Sequence, residues 1–163
     1  MEVLLFLIGG RLYTWIEIIW RGWTHWTMFY LGGGCFIIMG LLNEHILPWN
    51  MPLLWQAVIS ACIITTLEFI VGCIINLWLG WQVWDYSGLP FNLLGQICLY
   101  YFLLWIPISA AGIILDDWIR YLFYRCFHKF FPNLQERERP HYTLIGGKSV
   151  SYTHLTLPTI LLV

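Results

Sequence analysis

The chain has 163 residues, of which 60% are hydrophobic, 18% aromatic and only 10% charged, with a net charge of −1 and a mean hydropathy of +0.71. A soluble domain carries about a quarter charged residues, so this composition cannot cover a water-facing surface and lipid is the expected solvent. The near-neutral balance also excludes the basic field that nucleic-acid partners require, and eleven Trp and nine Tyr suit the interfaces of a bilayer.

Taken in order, residues 1–20 form the first expected span. It lacks a basic leader and a small-residue cleavage site, so it does not read as a removable signal peptide. Arg11 lies in its middle and must either snorkel or face protein. Glu17 and Arg21 are four residues apart and share a helix face, where they can pair. After the polar and aromatic connection 21–27, the second span covers 28–42, and its glycines at 32, 33, 34 and 40 would let another helix approach closely. Residues 43–52 hold two prolines and two asparagines and read as a turn. The third span, 53–77, is long enough for a hydrocarbon core of about 30 Å. An aromatic connection, 78–92, leads to a fourth span at 93–115 with Pro107 as a kink point. Residues 116–131 read as a juxtamembrane extension of that helix, 132–148 as a polar cytoplasmic tail, and 149–163 as non-native read-through set aside from the functional reading. The fold class expected is all-α, a multi-pass transmembrane bundle of four helices with a juxtamembrane C-terminal helix.

Orientation follows from the distribution of Lys and Arg. Arg120, Arg125, Lys129, Arg137 and Arg139 follow the fourth span, whereas 43–52 and 78–92 hold none. Both termini are therefore expected in the cytoplasm, with 21–27 and 78–92 outside. Trp78, Trp81, Trp84, Arg120, Arg125 and Lys129 are the expected interfacial anchors.

In this frame the polar residues gather in the outer half of the bundle. Glu68, Gly72 and Asn76 recur every four residues on one helix face, with Thr65 one turn earlier. Glu17, Arg21, Asp85, Asn92 and Gln96 lie at matching depth, and with Glu68 and Asn76 they make up the candidate polar site. An ionised carboxylate costs roughly 2.5–3.5 kcal/mol at the centre of a bilayer even on the lenient scale. Glu68 must therefore face the bundle, face water or carry a proton. It serves either a proton, cation or ligand site, or a helix-to-helix lock through hydrogen bonding or a pair with Arg11. His25, beside Trp26, reads as an interfacial residue, and Asp85 as a turn-former. A weak internal repeat is visible, each half carrying a Glu-bearing span (Glu17, Glu68) followed by a glycine (Gly22, Gly72).

Catalytic machinery is not in view. The chain has no phosphate-binding GxxxxGK[ST] loop, no GxSxG, no HExxH and no CxxC. Its five cysteines, odd in number and mostly within apolar runs, read as small hydrophobes, so no metal or cofactor is expected.

The runs IEIIWRGWTHWTMFYLGGGCF (16–36) and LEFIVGCIINLWLGWQVWDYSGLPFNLLGQICL (67–99) resemble the bacterial family labelled Putative ABC-transporter type IV, or CmpB-like. The likeness extends through LDDWIRY to about residue 142, and the order WDYS-x-LPFN-x-x-GQI is its most specific part. Arg11 departs from the apolar residue expected there. The resemblance implies a small multi-pass protein of the bacterial inner membrane, with permease-like partners and a separate ATPase. Four spans are few for a complete permease, so it also implies a homo-oligomer or further transporter subunits. Three readings follow: a permease-like transport component with an outward-facing site at Glu68; a structural or regulatory membrane subunit whose polar residues bind helices together; and a small membrane enzyme acting on lipid or envelope precursors through Glu68 or Asp85 with His25.

Overall fold

A computed structural model describes residues 1–47, 51–128 and 139–145. Lys129 and most of the segments 132–148 and 149–163 lie outside these residues. Among them, four helices are long and apolar enough to cross a membrane. They are α1 (Glu2–Arg21), α2 (Trp26–Leu41), α3 (Leu53–Gly72) and α4 (Leu99–His128). Wider π-helical turns lengthen α2 over Leu42–Ile46 and α3 over Cys73–Trp78.

The helices form two antiparallel hairpins. In the first, α1 ends at Gly22, whose left-handed φ of 80° lets its N–H return to the Ile18 carbonyl. His25 then caps α2 by accepting from the Thr27 N–H. The interface is reciprocal: a Cβ added at Gly10 would meet the Phe29 carbonyl at 2.6 Å, and one at Gly33 would meet the Phe6 carbonyl at 2.7 Å. Gly9 lies under Phe36 and Gly32 under Tyr13 in the same manner. Small residues on each helix thus admit the rings of the other, the close packing that drives helix association where lipid is as apolar as side chains. Of the four glycines expected to allow this, Gly34 faces open space, and Gly40 makes room for the Asp116 carboxylate of α4.

The second hairpin packs α3 on α4 around Ala61, Ile64 and Ile113. Its connection departs from the expected helix start at 93. Asn92–Leu93 and Ile97–Cys98 form a small antiparallel hairpin, β1 and β2, before α4 begins at Leu99. Phe91, Leu94 and Gly95 all have positive φ there, which a helix cannot accommodate. From Leu99 the helix is continuous through Pro107 to His128, so residues 116–128 carry on the same helix as the fourth apolar stretch.

At the end of the bundle where the described chain begins and finishes, Arg120 ties α4 to α1. Its Nε donates to Asp116 at 2.7 Å, and Nη1 and Nη2 donate to the two Glu2 oxygens at 2.8 and 3.1 Å. Residues 139–145 return to the same end. The Leu53 N–H donates to the Thr143 carbonyl at 2.9 Å, giving α3 a backbone cap, and the Tyr142 hydroxyl donates to Asp117 at 2.6 Å.

Candidate functional site

At the opposite end, the residues singled out in the sequence divide into two groups. The first belongs to the connection between α3 and α4 and is spent on building it. Asn76 Nδ2 donates to Gln96 Oε1 at 2.8 Å while its Oδ1 accepts from the Val83 N–H at 2.7 Å. The Trp84 indole donates to the Gln96 carbonyl at 2.9 Å. Asn92 Nδ2 donates to the Ser87 and Leu89 carbonyls, and its Oδ1 accepts from the Gly95 N–H. Asp85 accepts from the Ser87 N–H at 2.8 Å and from the Ser87 hydroxyl at 2.9 Å. These bonds hold the exposed Asp85 carboxyl below its ordinary value, the backbone bond being the larger cause. Asn76, Asp85, Asn92 and Gln96 therefore satisfy the backbone of a compact loop, each using side-chain groups that would otherwise be unpaired.

The second group lines a cavity of about 310 Å³ between α1, α3 and α4, capped by the loop residue Tyr86. Glu17, Arg21 and Glu68 all reach it. Glu17 accepts from Arg21 at 2.8 Å and from the Thr24 hydroxyl at 2.6 Å, so the i, i+4 pair expected from the sequence is made and extended into the connection. Arg21 also donates to the Val83 carbonyl at 3.0 Å and lies 4.4 Å over the Trp23 ring. Glu68 is 3% exposed and accepts from the Trp105 indole at 2.8 Å. Among the described residues its second oxygen accepts no hydrogen bond, and it is not sealed in the core. Arg11, weighed as a partner for Glu68, lies exposed on α1. Thr65, one turn from Glu68, does not line the cavity, and its buried hydroxyl finds no partner among the described residues.

The walls are aromatic. Tyr13 stacks on Trp105 with ring centres 5.7 Å apart, and Tyr86 stacks on Tyr101 at 4.5 Å. Burial, then the nearby Glu68 charge, raises the Tyr86 hydroxyl above its ordinary value, so it stays a protonated donor. Trp20 donates to the Tyr101 hydroxyl at 3.3 Å across the mouth between α1 and α4, and Ile16, Leu104 and Ile108 form its apolar rim.

Two of the expected interfacial anchors are instead internal. Trp84 is 6% exposed because its indole is held by Gln96, and Arg120 is 5% exposed between Glu2 and Asp116. Trp78 and Trp81 are exposed, as is Arg125, which donates to the Tyr121 hydroxyl at 3.3 Å. Tyr101 and Trp105 were not singled out in the sequence, although spacing offered a signal. Tyr13 and Glu17 lie one turn apart on α1, as do Tyr101, Trp105 and Ile108 on α4.

A bundle of four apolar helices enclosing polar side chains at depth is the construction of an integral membrane protein. The family described as Putative ABC-transporter type IV matches residues 4–136, a stretch that reaches all four helices, and the chain belongs to it. No curated protein and no solved structure matches the chain.

Proposed function

We propose that the protein is a multi-pass, permease-like component of solute transport in the bacterial inner membrane, with the cavity at Glu68 as its outward-facing site. One observation carries this reading: a nearly buried carboxylate, with one oxygen uncommitted, opens into a cavity between helices at membrane depth. A carboxylate placed there is costly, and such groups mark solute and ion paths. The volume is at the lower end of small-molecule sites, about 300–1,000 Å³. The excess of Lys and Arg after α4 supports cytoplasmic termini, which turns the cavity outward. The family's description supports a transport assembly, with further copies or subunits and a separate ATPase completing it.

The second reading, a structural or regulatory subunit, is supported by the fate of Asn76, Asp85, Asn92 and Gln96, which are consumed in the loop. It is also supported by the apolar face of α1, where Trp15 and Ile19 are exposed. Uptake by reconstituted vesicles separates the two. Across a panel of labelled amino acids, sugars, phosphate and alkylammonium ions, the native chain with its co-purifying subunits should accumulate at least one class. Glu68→Gln should abolish that uptake while insertion and helicity persist. Unchanged uptake in both Glu68→Gln and Glu68→Ala would sink the transport reading.

A further inference from the structure

We infer that the cavity takes an amphipathic organic monocation, an ammonium group carried on an apolar body. The inference deepens the reading of the cavity as a solute site and rests on it.

Charge comes first. Glu17 is matched by Arg21 at 2.8 Å and further held by Thr24, whereas Glu68 receives only a neutral donor, the Trp105 indole at 2.8 Å. With both carboxylates ionised, Glu17, Glu68 and the single Arg21 guanidinium leave the cavity one positive charge short of balance, and the imbalance sits at Glu68. A buried charge is tolerated when it is paired, and no cationic side chain reaches Glu68 among the described residues. The missing partner is a single positive charge from outside the chain.

The walls then select its kind. The Tyr13–Trp105 and Tyr86–Tyr101 stacks border the space beside Glu68. Aromatic faces attract quaternary and alkylated ammonium groups, which give up their hydration easily. A bare metal ion needs several hard or imidazole ligands in one place, and no three His, Cys, Asp or Glu side chains cluster so among the described residues. The rim supplies the rest of the specificity. Ile16, Leu104 and Ile108 line the mouth between α1 and α4, so the apolar body of the ligand lies against them while the charged head reaches Glu68.

Tritiated benzyltrimethylammonium provides the probe, with the full chain in lipid nanodiscs and bound label counted by scintillation proximity. Saturable binding is expected, displaced by the unlabelled cation. Neither neopentylbenzene, its neutral isostere, nor phenylacetate, its anionic counterpart, should displace it. Glu68→Gln should weaken binding tenfold or more, and Tyr86→Leu threefold or more. Arg21→Gln moves in the opposite direction: it frees the Glu17 charge and should tighten binding. That opposite sign separates an electrostatic effect from simple damage to the fold. Equal displacement by neopentylbenzene would reduce the cavity to an apolar hole, preference for phenylacetate would reverse its charge, and absence of saturable binding would remove the ligand class. A parallel loss of affinity in Glu68→Gln and Arg21→Gln would overturn the charge account. Glu68-dependent uptake of a different solute class would leave transport standing without the cation. Cation binding with no uptake of any solute would leave the cation site standing without transport.

Discussion

Removing the Arg120 guanidinium should cost this protein several times more than removing the Glu2 charge, although both belong to one cluster. The Arg120 and Asp116 side chains are 6% and 1% exposed, whereas the Glu2 side chain is 44% exposed. Breaking a buried pair from one side leaves an uncompensated charge and costs about 3–5 kcal/mol. A half-exposed pair contributes about 0.2–1 kcal/mol. Arg120→Met should therefore destabilise by about 3–5 kcal/mol, because Asp116 loses its one hydrogen-bond partner among the described residues, beneath α2, where Gly40 makes room for it. Glu2→Gln should cost under about 1 kcal/mol. Arg120→Met combined with Asp116→Leu should recover most of the loss, since apolar replacement of both members of a buried pair is often neutral. Unfolding in mixed detergent micelles with increasing dodecyl sulfate, followed by circular dichroism, measures all corners of the cycle. The reasoning fails if Glu2→Gln costs as much as Arg120→Met, or if the double variant is no more stable than Arg120→Met alone.

Three further outcomes follow from the geometry. Gly33→Leu should lose about 1–3 kcal/mol or more in the same assay, because its side chain would enter the Phe6 backbone, whereas Gly34→Ala should be neutral or gain up to about 1 kcal/mol. Asn76→Leu strands the Val83 N–H and the Gln96 amide, at about 1–3 kcal/mol for each buried group, and hydrogen exchange at Val83 should accelerate while α1 and α2 stay protected. The Asp85 carboxyl is held below its ordinary value of 3.8 by the two bonds from Ser87, so its support of the turn is complete above that value and fades as pH falls through the lower folded value. Amide exchange at Ser87, corrected for intrinsic rates, should show that loss in the native chain and none in Asp85→Asn.

The helices were legible because lipid imposes one requirement, a sustained apolar length, and the residues state it directly. Glu17 with Arg21 was legible for a similar reason, since one helical turn sets that spacing without help from the rest of the fold. Glu68 stood out because a carboxylate in an apolar run has few affordable environments. The loop was different. Asn76, Asp85, Asn92 and Gln96 could have pointed into the cavity or into their own backbone, and the choice depends on the positive φ at Phe91, Leu94 and Gly95 that turns the chain before α4. Trp84 and Arg120 sit at the ends of apolar runs, a position that reads as surface, yet Gln96 in one case and Glu2 with Asp116 in the other draw them inward. The aromatic walls stayed hidden because Tyr and Trp in a membrane helix are equally suited to lipid headgroups. Only the meeting of α1 with α4 makes Tyr13 and Trp105 partners. The suggested repeat divides in the same way: Gly22 ends a helix in a left-handed conformation, while Gly72 lies within one and makes room for Gln96 and Trp84.

The reciprocal packing of α1 on α2 has a mechanical consequence. Glycines on each helix hold rings of the other, so sliding α1 along α2 in either direction drives a ring or a carbonyl into backbone. The two helices must therefore travel as one rigid plate. Between α1 and α4, by contrast, the described ties are the stack of Tyr13 on Trp105, the Trp20–Tyr101 bond and the Arg120–Glu2 clasp. Any widening of the mouth then requires one hairpin to rock against the other, with the clasp as its pivot. Paired spin labels would show this as a changing distance from α1 to α4 and a constant one from α1 to α2.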